Sequence, residues 1–205
     1  MRRPLLLFLP LAVLSALYFP GFCQSVPVPP PPLPPVAQIQ FVFDQKDGRT
    51  KALQAVLARV PAPWLTLRPG SPSTGVWRVR VASSDTEWKS WRVRYDLAPD
   101  DPSGLSLCGE TLYEYNLILI RNDDDTPGVF AHECCHALIR DHFTAADKGV
   151  FRAEWKREMR SGETASEYAQ TNWEEGTAEA FRCYVCGGEK APPGAIGLFR
   201  HFGGN

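Results

Sequence analysis

The reading of this chain turns on residues 129–139, Val129-Phe130-Ala131-His132-Glu133-Cys134-Cys135-His136-Ala137-Leu138-Ile139. They contain the pattern H-E-x-x-H. On an α-helix, His132 and His136 stand one turn apart on one face, so both imidazoles reach a single metal ion. Glu133 then lies beside them, placed to take a proton from a water that the ion activates. The alternative is a surface helix with an ordinary His pair. The apolar flanks argue for burial, and a buried His-Glu-His cluster must be satisfied; a metal is one of the few ways to do that. The start of the helix is well marked. Thr126 is expected to cap it, Pro127 suits its first position, and Asp123, Asp124 and Asp125 favour the positive end of its dipole.

Strand patterns precede this helix and helical patterns follow it. Residues 38–43 (QIQFVF), 76–82 (VWRVRVA) and 88–95 alternate and are expected as strands, and residues 112–120 (LYEYNLILI) as a further one. Residues 50–60 have helical spacing and stop at Pro61. After the motif helix, residues 126–140, come an amphipathic helix over 145–160, with Phe151, Trp155 and Met159 on its core stripe, and a last helix from 172 to about 185, ended by Gly187-Gly188. The expected fold class is α+β: a small N-terminal mixed or antiparallel sheet, an active-site helix and a C-terminal helical part. The strand over 112–120 directly precedes the motif helix and is expected to act as an edge that binds an extended peptide.

A third metal ligand has two candidates. His142 falls ten residues after His132, the spacing of H-E-x-x-H-x-x-G-x-x-H. That pattern needs a sharp turn, and here the glycine position is Ile139, a β-branched residue. The second candidate lies in residues 168–181, YAQTNWEEGTAEAF. Glu175 and Glu179 share one helical face. One of Glu174 and Glu175 suffices for a capping box with Thr171 or Asn172, which leaves the other free.

HECCH followed by Y-A-x-T-N-x-x-E-x-x-A-E-A-F resembles the catalytic domain of anthrax lethal factor and its relatives, which include secreted Pro-Pro endopeptidases. The resemblance is specific over residues 129–181. It implies a zincin-like metallopeptidase domain that hydrolyses peptide bonds through a zinc-activated water. It also implies one catalytic Zn2+ held by His132, His136 and Glu175, with Glu133 as general base. Tyr168 would donate its hydroxyl to the oxyanion, and Glu179 would hydrogen-bond a ligand imidazole. The chain departs from the family at Cys135, where glycine is usual, and at Gly176-Thr177, where a Phe-Phe pair is usual.

Length and composition fit one domain with a sizeable core, and the net charge of -1 implies neither nucleic acid nor an acidic membrane as a partner. A peptide or protein substrate and a monomer are expected. Arg2 and Arg3 followed by an apolar run read as a signal peptide or uncleaved anchor over residues 1–25, so the protein is expected to be secreted or extracytoplasmic. Residues 26–37 (VPVPPPPLPPVA) read as an extended proline-rich linker, and the metallopeptidase domain runs over 38–205. Six cysteines in an exported chain suggest disulfides. A bridge from Cys135 to Cys183 or Cys186 is favoured, with a structural zinc site of Cys134, Cys135, Cys183 and Cys186 as its rival.

Overall fold

The computed structural model describes residues 37–45, 48–97, 108–122, 125–187 and 191–203. The chain divides into two units, Met1–Pro34 and Pro35–Asn205, and the second carries the fold. The expected signal segment and nearly all of the linker lie outside the described residues. Among the described residues, no helix is long and apolar enough to cross a membrane.

The fold is α+β, with a small mixed sheet and helices on both of its faces. The elements are β1 (Gln40–Phe43), α1 (Gly48–Leu57), β2 (Val76–Val81), α2 (Asp85–Arg94), β3 (Gly109–Leu112) and β4 (Leu117–Ile120). Then follow α3 (Thr126–Asp141), α4 (Ala145–Ser161), α5 (Trp173–Cys186) and α6 (Pro193–Gly203). The strand order is β1-β2-β4-β3. β1, β2 and β4 run parallel, and β3 pairs antiparallel with β4.

β4 explains the sheet. Its residues Leu117, Ile118, Leu119 and Ile120 are all buried, because both of its faces are covered. Ile118 and Ile120 pack with Phe130 and Leu138 of α3 in the main core. Leu117 and Leu119 pack with Trp88 and Trp91 of α2 in a smaller one. Burying each of these large side chains contributes roughly 1.5–3 kcal/mol.

Two expected elements differ. Residues 88–95 are not a strand but most of helix α2. Ser84 caps this helix, accepting from the Glu87 amide, while Glu87 accepts from the Ser83 amide and hydroxyl. Trp88, Trp91 and Arg92 are the buried residues, which is helical spacing. Residues 112–120 are not one strand but the turn and second arm of a hairpin. The chain reverses through a 3-10 turn, Tyr113–Tyr115, and Asn116 at φ 47°. Asparagine tolerates that left-handed conformation better than most residues.

α3 is buried along nearly its whole length. Its cap is Asp125, whose side chain accepts from the Gly128 amide, rather than Thr126. At its other end Asp141 is fully buried. Asp141 accepts from Ser71 Oγ at 2.8 Å, Ser73 Oγ at 2.5 Å and Trp77 Nε1 at 2.7 Å. That carboxylate ties the loop before β2 to the end of the motif helix. An aromatic cluster around Trp64 joins the helices: its ring lies 5.2 Å from Phe143, 5.7 Å from Phe181 and 5.4 Å from Phe199. On α4, Phe151 is buried as expected, Trp155 is half-buried and Met159 is exposed.

The cysteine expectations are not met. Cys134, Cys135, Cys183 and Cys186 are thiols that form no disulfide. Cys134 and Cys135 sit fully buried in the main core, and Cys186 is exposed. No four-cysteine metal group exists among the described residues.

Asp141→Ala is expected to cost roughly 3 kcal/mol, because it leaves the buried Trp77 N–H without an acceptor; chemical denaturation measures it. Glu158 of α4 gives a second prediction. It is buried and accepts from the Ala195 amide of α6 at 3.1 Å. Burial pushes its carboxyl up to about 7; the Ala195 bond opposes this and Glu154 reinforces it. The folded state therefore holds this proton more tightly than the unfolded one. Stability should fall as pH rises from about 4.5 through 7 and change no further above that. Glu158→Gln should remove the fall, by on the order of 1 kcal/mol at pH 8 after allowing for solvent screening. Denaturation midpoints between pH 5 and pH 8 check it.

Candidate metal centre

α3 and α5 carry the site. The H-E-x-x-H spacing on α3 sends His132 and His136 to one face, with their rings 4.9 Å apart. α5 begins where Asn172 accepts from the amides of Glu174 and Glu175. That single cap leaves both glutamate side chains free of capping. Glu175 and Glu179 then face α3 one turn apart.

His132 Nε2 lies 2.9 Å from Glu175 Oε2 and 3.1 Å from His136 Nε2. The distance from His136 Nε2 to Glu175 Oε2 is 3.3 Å. With zinc–ligand bonds near 2.0–2.2 Å, neighbouring ligand atoms in a tetrahedral set are roughly 3.3–3.5 Å apart. The three donor atoms therefore meet close to the edges of such a tetrahedron. Among the described residues, His132, His136 and Glu175 are the convergent group of metal-ligating side chains.

The donor chemistry also fits a cation. His132 Nδ1 lies 2.9 Å from Glu179 Oε1, so its N–H donates there. A neutral His132 then presents a bare Nε2 lone pair to the Glu175 carboxylate, which is repulsive without a cation between them. His136 Nδ1 is buried without a hydrogen-bond partner. A proton is the competing occupant. Burial disfavours charged His132, but hydrogen bonds to Glu175 and Glu179 push its pKa up to about 10. Burial likewise opposes charge on Glu175, yet His132 and His136 hold its carboxyl well below the usual range.

Behind His132, Glu179 is held by Arg182 Nη1 at 3.3 Å, and Arg182 Nη2 reaches Asp125, the cap of α3, at 2.6 Å. This chain of contacts braces the His132 imidazole from the side away from the cleft.

In front lies a cleft of about 150 Å³. Glu133 and Tyr168 line it together with His132, His136 and Glu175. Tyr168 sits in the 3-10 turn Tyr168–Gln170, its ring 5.8 Å from that of His132. Partial burial and the carboxylates of Glu175 and Glu133 raise its phenol, so it stays protonated at neutral pH. The six residues Glu133, Tyr168, His132, His136, Glu175 and Glu179 thus come together. His142 does not join them. Helix α3 continues through Asp141, and His142 stacks on Trp64 with Nδ1 2.9 Å from the Thr66 carbonyl.

The opposite wall was not anticipated. It is β3, the sheet edge, with Gly109, Glu110, Thr111 and then Tyr113. The edge role expected of residues 112–120 falls to residues 109–112, and β4 is internal. Thr111 Oγ1 donates to Glu133 Oε2 at 2.7 Å. A Cβ on Gly109 would lie 2.6 Å from Glu133 Oε1 and 2.7 Å from Val129 Cγ1. Glycine is therefore what lets this edge approach Glu133. The signal in the sequence is slight: Gly109 and Thr111 alternate just before a turn, in a segment without strong hydrophobicity.

Gly109→Ala is expected to displace the Glu133 carboxylate and break its bond to Thr111. The cost is about 1–3 kcal/mol of stability, as for other overpacked sites. Chemical denaturation beside wild type measures it; an unchanged midpoint would refute the close approach of β3 to Glu133.

Comparison of the chain with family models, curated proteins and solved structures finds no match, so the resemblance over residues 129–181 rests on its motif residues.

Proposed function

We propose that residues 38–205 form a zincin-like, zinc-dependent endopeptidase domain of the lethal-factor-like type, in a secreted or extracytoplasmic protein. One observation carries this reading. His132 Nε2, His136 Nε2 and Glu175 Oε2 converge, while Glu133 faces the same cleft without joining them. Two neutral donors and one anionic donor leave a fourth tetrahedral position open, as catalytic rather than structural sites do. Zinc, when bound, supplies Lewis acidity that polarises a carbonyl oxygen and acidifies water.

The chain's own groups do the rest. Glu133 takes a proton from the attacking water and hands it to the leaving amine. Thr111 fixes the direction of that carboxylate. Tyr168 remains a phenol and donates to the oxyanion that develops on the attacked carbonyl, a contact worth about 3 kcal/mol in comparable sites. Glu179 sets the tautomer and orientation of His132. The free edge of β3 offers backbone groups to an extended peptide.

A second reading is a non-catalytic exported module that binds protein. The ion pairs of His132 with Glu175 and Glu179 favour it, since a proton alone would hold the cluster together. Zinc content and peptide-library cleavage, measured on wild type beside Glu133→Ala and Tyr168→Phe, separate the two. The peptidase reading expects one zinc in all three proteins. It also expects cleavage reduced about 10²- to 10⁴-fold by Glu133→Ala and about 10²-fold by Tyr168→Phe. Absence of zinc from the wild type would leave the binding module standing.

A further inference from the structure

Gly176 stands beside the ligand Glu175 inside helix α5, where glycine is a poor helix former, and the structure gives the reason. A Cβ there would lie 2.3 Å from Trp155 Cδ1, 2.8 Å from Trp155 Nε1 and 2.9 Å from the Ala169 carbonyl oxygen. Those last two atoms are the donor and acceptor of one hydrogen bond, Trp155 Nε1 to Ala169 O at 2.8 Å. The indole of α4 thus threads between α5 and the turn Tyr168–Gln170. It grips the residue that follows Tyr168 while resting on the residue that follows Glu175.

The rest of the turn is held from its own side, from Glu179 and, through the Tyr168 hydroxyl, from Glu175. The Ala169 amide donates to Ser166 Oγ at 3.0 Å, and Ser166 in turn hydrogen-bonds Glu179. Gln170 Nε2 reaches Thr164 Oγ1 at 3.2 Å. Ala169 itself is buried, whereas Tyr168 is 40% exposed. Among the described contacts of this turn, the Trp155 bond is the one that reaches it from α4. The α4 ring therefore holds the backbone that carries Tyr168, while the phenol itself donates to Glu175 of α5. Arg152, one turn earlier on α4, lies over the Trp173 ring at 5.1 Å and keeps α4 registered on the start of α5.

We propose that Trp155 is a positioning residue for Tyr168, and that Gly176 is glycine in order to admit its indole. This rests on the peptidase reading for its effect on rate, but not for its effect on the turn. Trp155→Phe keeps an aromatic ring and removes the N–H donor. Gly176→Ala keeps the donor and pushes the ring away.

The experiment pairs hydrogen exchange with kinetics on the zinc-loaded full chain. Both variants should exchange about 5- to 10-fold faster than wild type over residues 164–172, as expected for one lost hydrogen bond. Zinc affinity should stay within about twofold, since no ligand contact changes. Against a cleaved peptide, kcat should fall about 10- to 100-fold with KM nearly unchanged, the effect of a misplaced catalytic donor. In a Tyr168→Phe background, Trp155→Phe should cost almost nothing more, because Trp155 acts through that phenol. Unchanged exchange over 164–172 in both variants would overturn the proposal, and so would a kcat loss that persists undiminished in the Tyr168→Phe background. If wild type holds zinc and cleaves nothing while the exchange shift is present, the peptidase reading fails and the Trp155 clamp stands.

Discussion

Helix α3 is buried on nearly every side and yet carries His132, Glu133, His136 and Asp141, and that constraint organises the structure. A buried polar group without a partner costs several kcal/mol, so each of these residues dictates what must lie opposite it. Asp141 requires donors and obtains them from Ser71, Ser73 and Trp77. Glu133 requires a donor and obtains the Thr111 hydroxyl from the sheet edge. The Nδ1–H of His132 requires an acceptor and obtains Glu179 from α5. The apolar faces set how tightly the layers close. The polar residues set which loop, strand and helix close upon them.

The same logic reaches one layer further out. Glu179 is buried, so it needs more than an imidazole, and Arg182 supplies it. Arg182 then spans back to Asp125, which is capping the very helix that carries His132. The circuit Asp125–Arg182–Glu179–His132 runs along the α3–α5 seam and returns to α3. Rotation of α5 relative to α3 would break several charge-assisted bonds at once, which keeps Glu175 at a fixed distance from both imidazoles.

How much of this was legible follows from where the signals are local. The motif helix and the face shared by His132 and His136 could be read, because an H-E-x-x-H spacing and an apolar flank act within four residues. The cap of α5 could be read to within one residue, Thr171 or Asn172, and the structure selects Asn172, which acts on the Glu174 and Glu175 amides directly. Helix α2 was missed because Trp91, Val93 and Tyr95 alternate with Arg92 and Arg94, although Trp88 and Trp91 repeat at helical spacing, and Ser84 with Glu87 was the deciding cue. The β3–β4 reversal was missed because it depends on Asn116 adopting a left-handed backbone, which a hydrophobic run conceals. Gly109 and Thr111 could not be assigned at all. Their meaning comes from contact with Glu133, a neighbour supplied by the sheet pairing rather than by the local sequence. Cys134 and Cys135 turned out to be core residues for the same reason: a free cysteine packs as a small hydrophobe once its helix is buried.

Charge balance gives the strongest reason to prefer a divalent cation to a proton at this centre. Glu110, Glu133, Glu174 and Glu175 line the cleft, and Glu179 lies just behind it. Among the described residues, no lysine or arginine lines that cleft, and the guanidinium of Arg182 is engaged by Glu179 and Asp125. Burial and the neighbouring carboxylates of Glu133 and Glu175 already push the Glu110 carboxyl up. A single proton on His132 can answer one of these carboxylates, and it must spend both ring nitrogens as donors to do so. A divalent ion answers two, and it accepts the lone pairs of His132 and His136 instead of leaving them to face each other at 3.1 Å. Since like charges about 4 Å apart repel by roughly 4 kcal/mol in a partly buried setting, the second unit of charge is not a small correction. The carboxylates that make the cleft costly without a cation are the same ones that would bind it, orient its ligand and accept the proton in the proposed reaction.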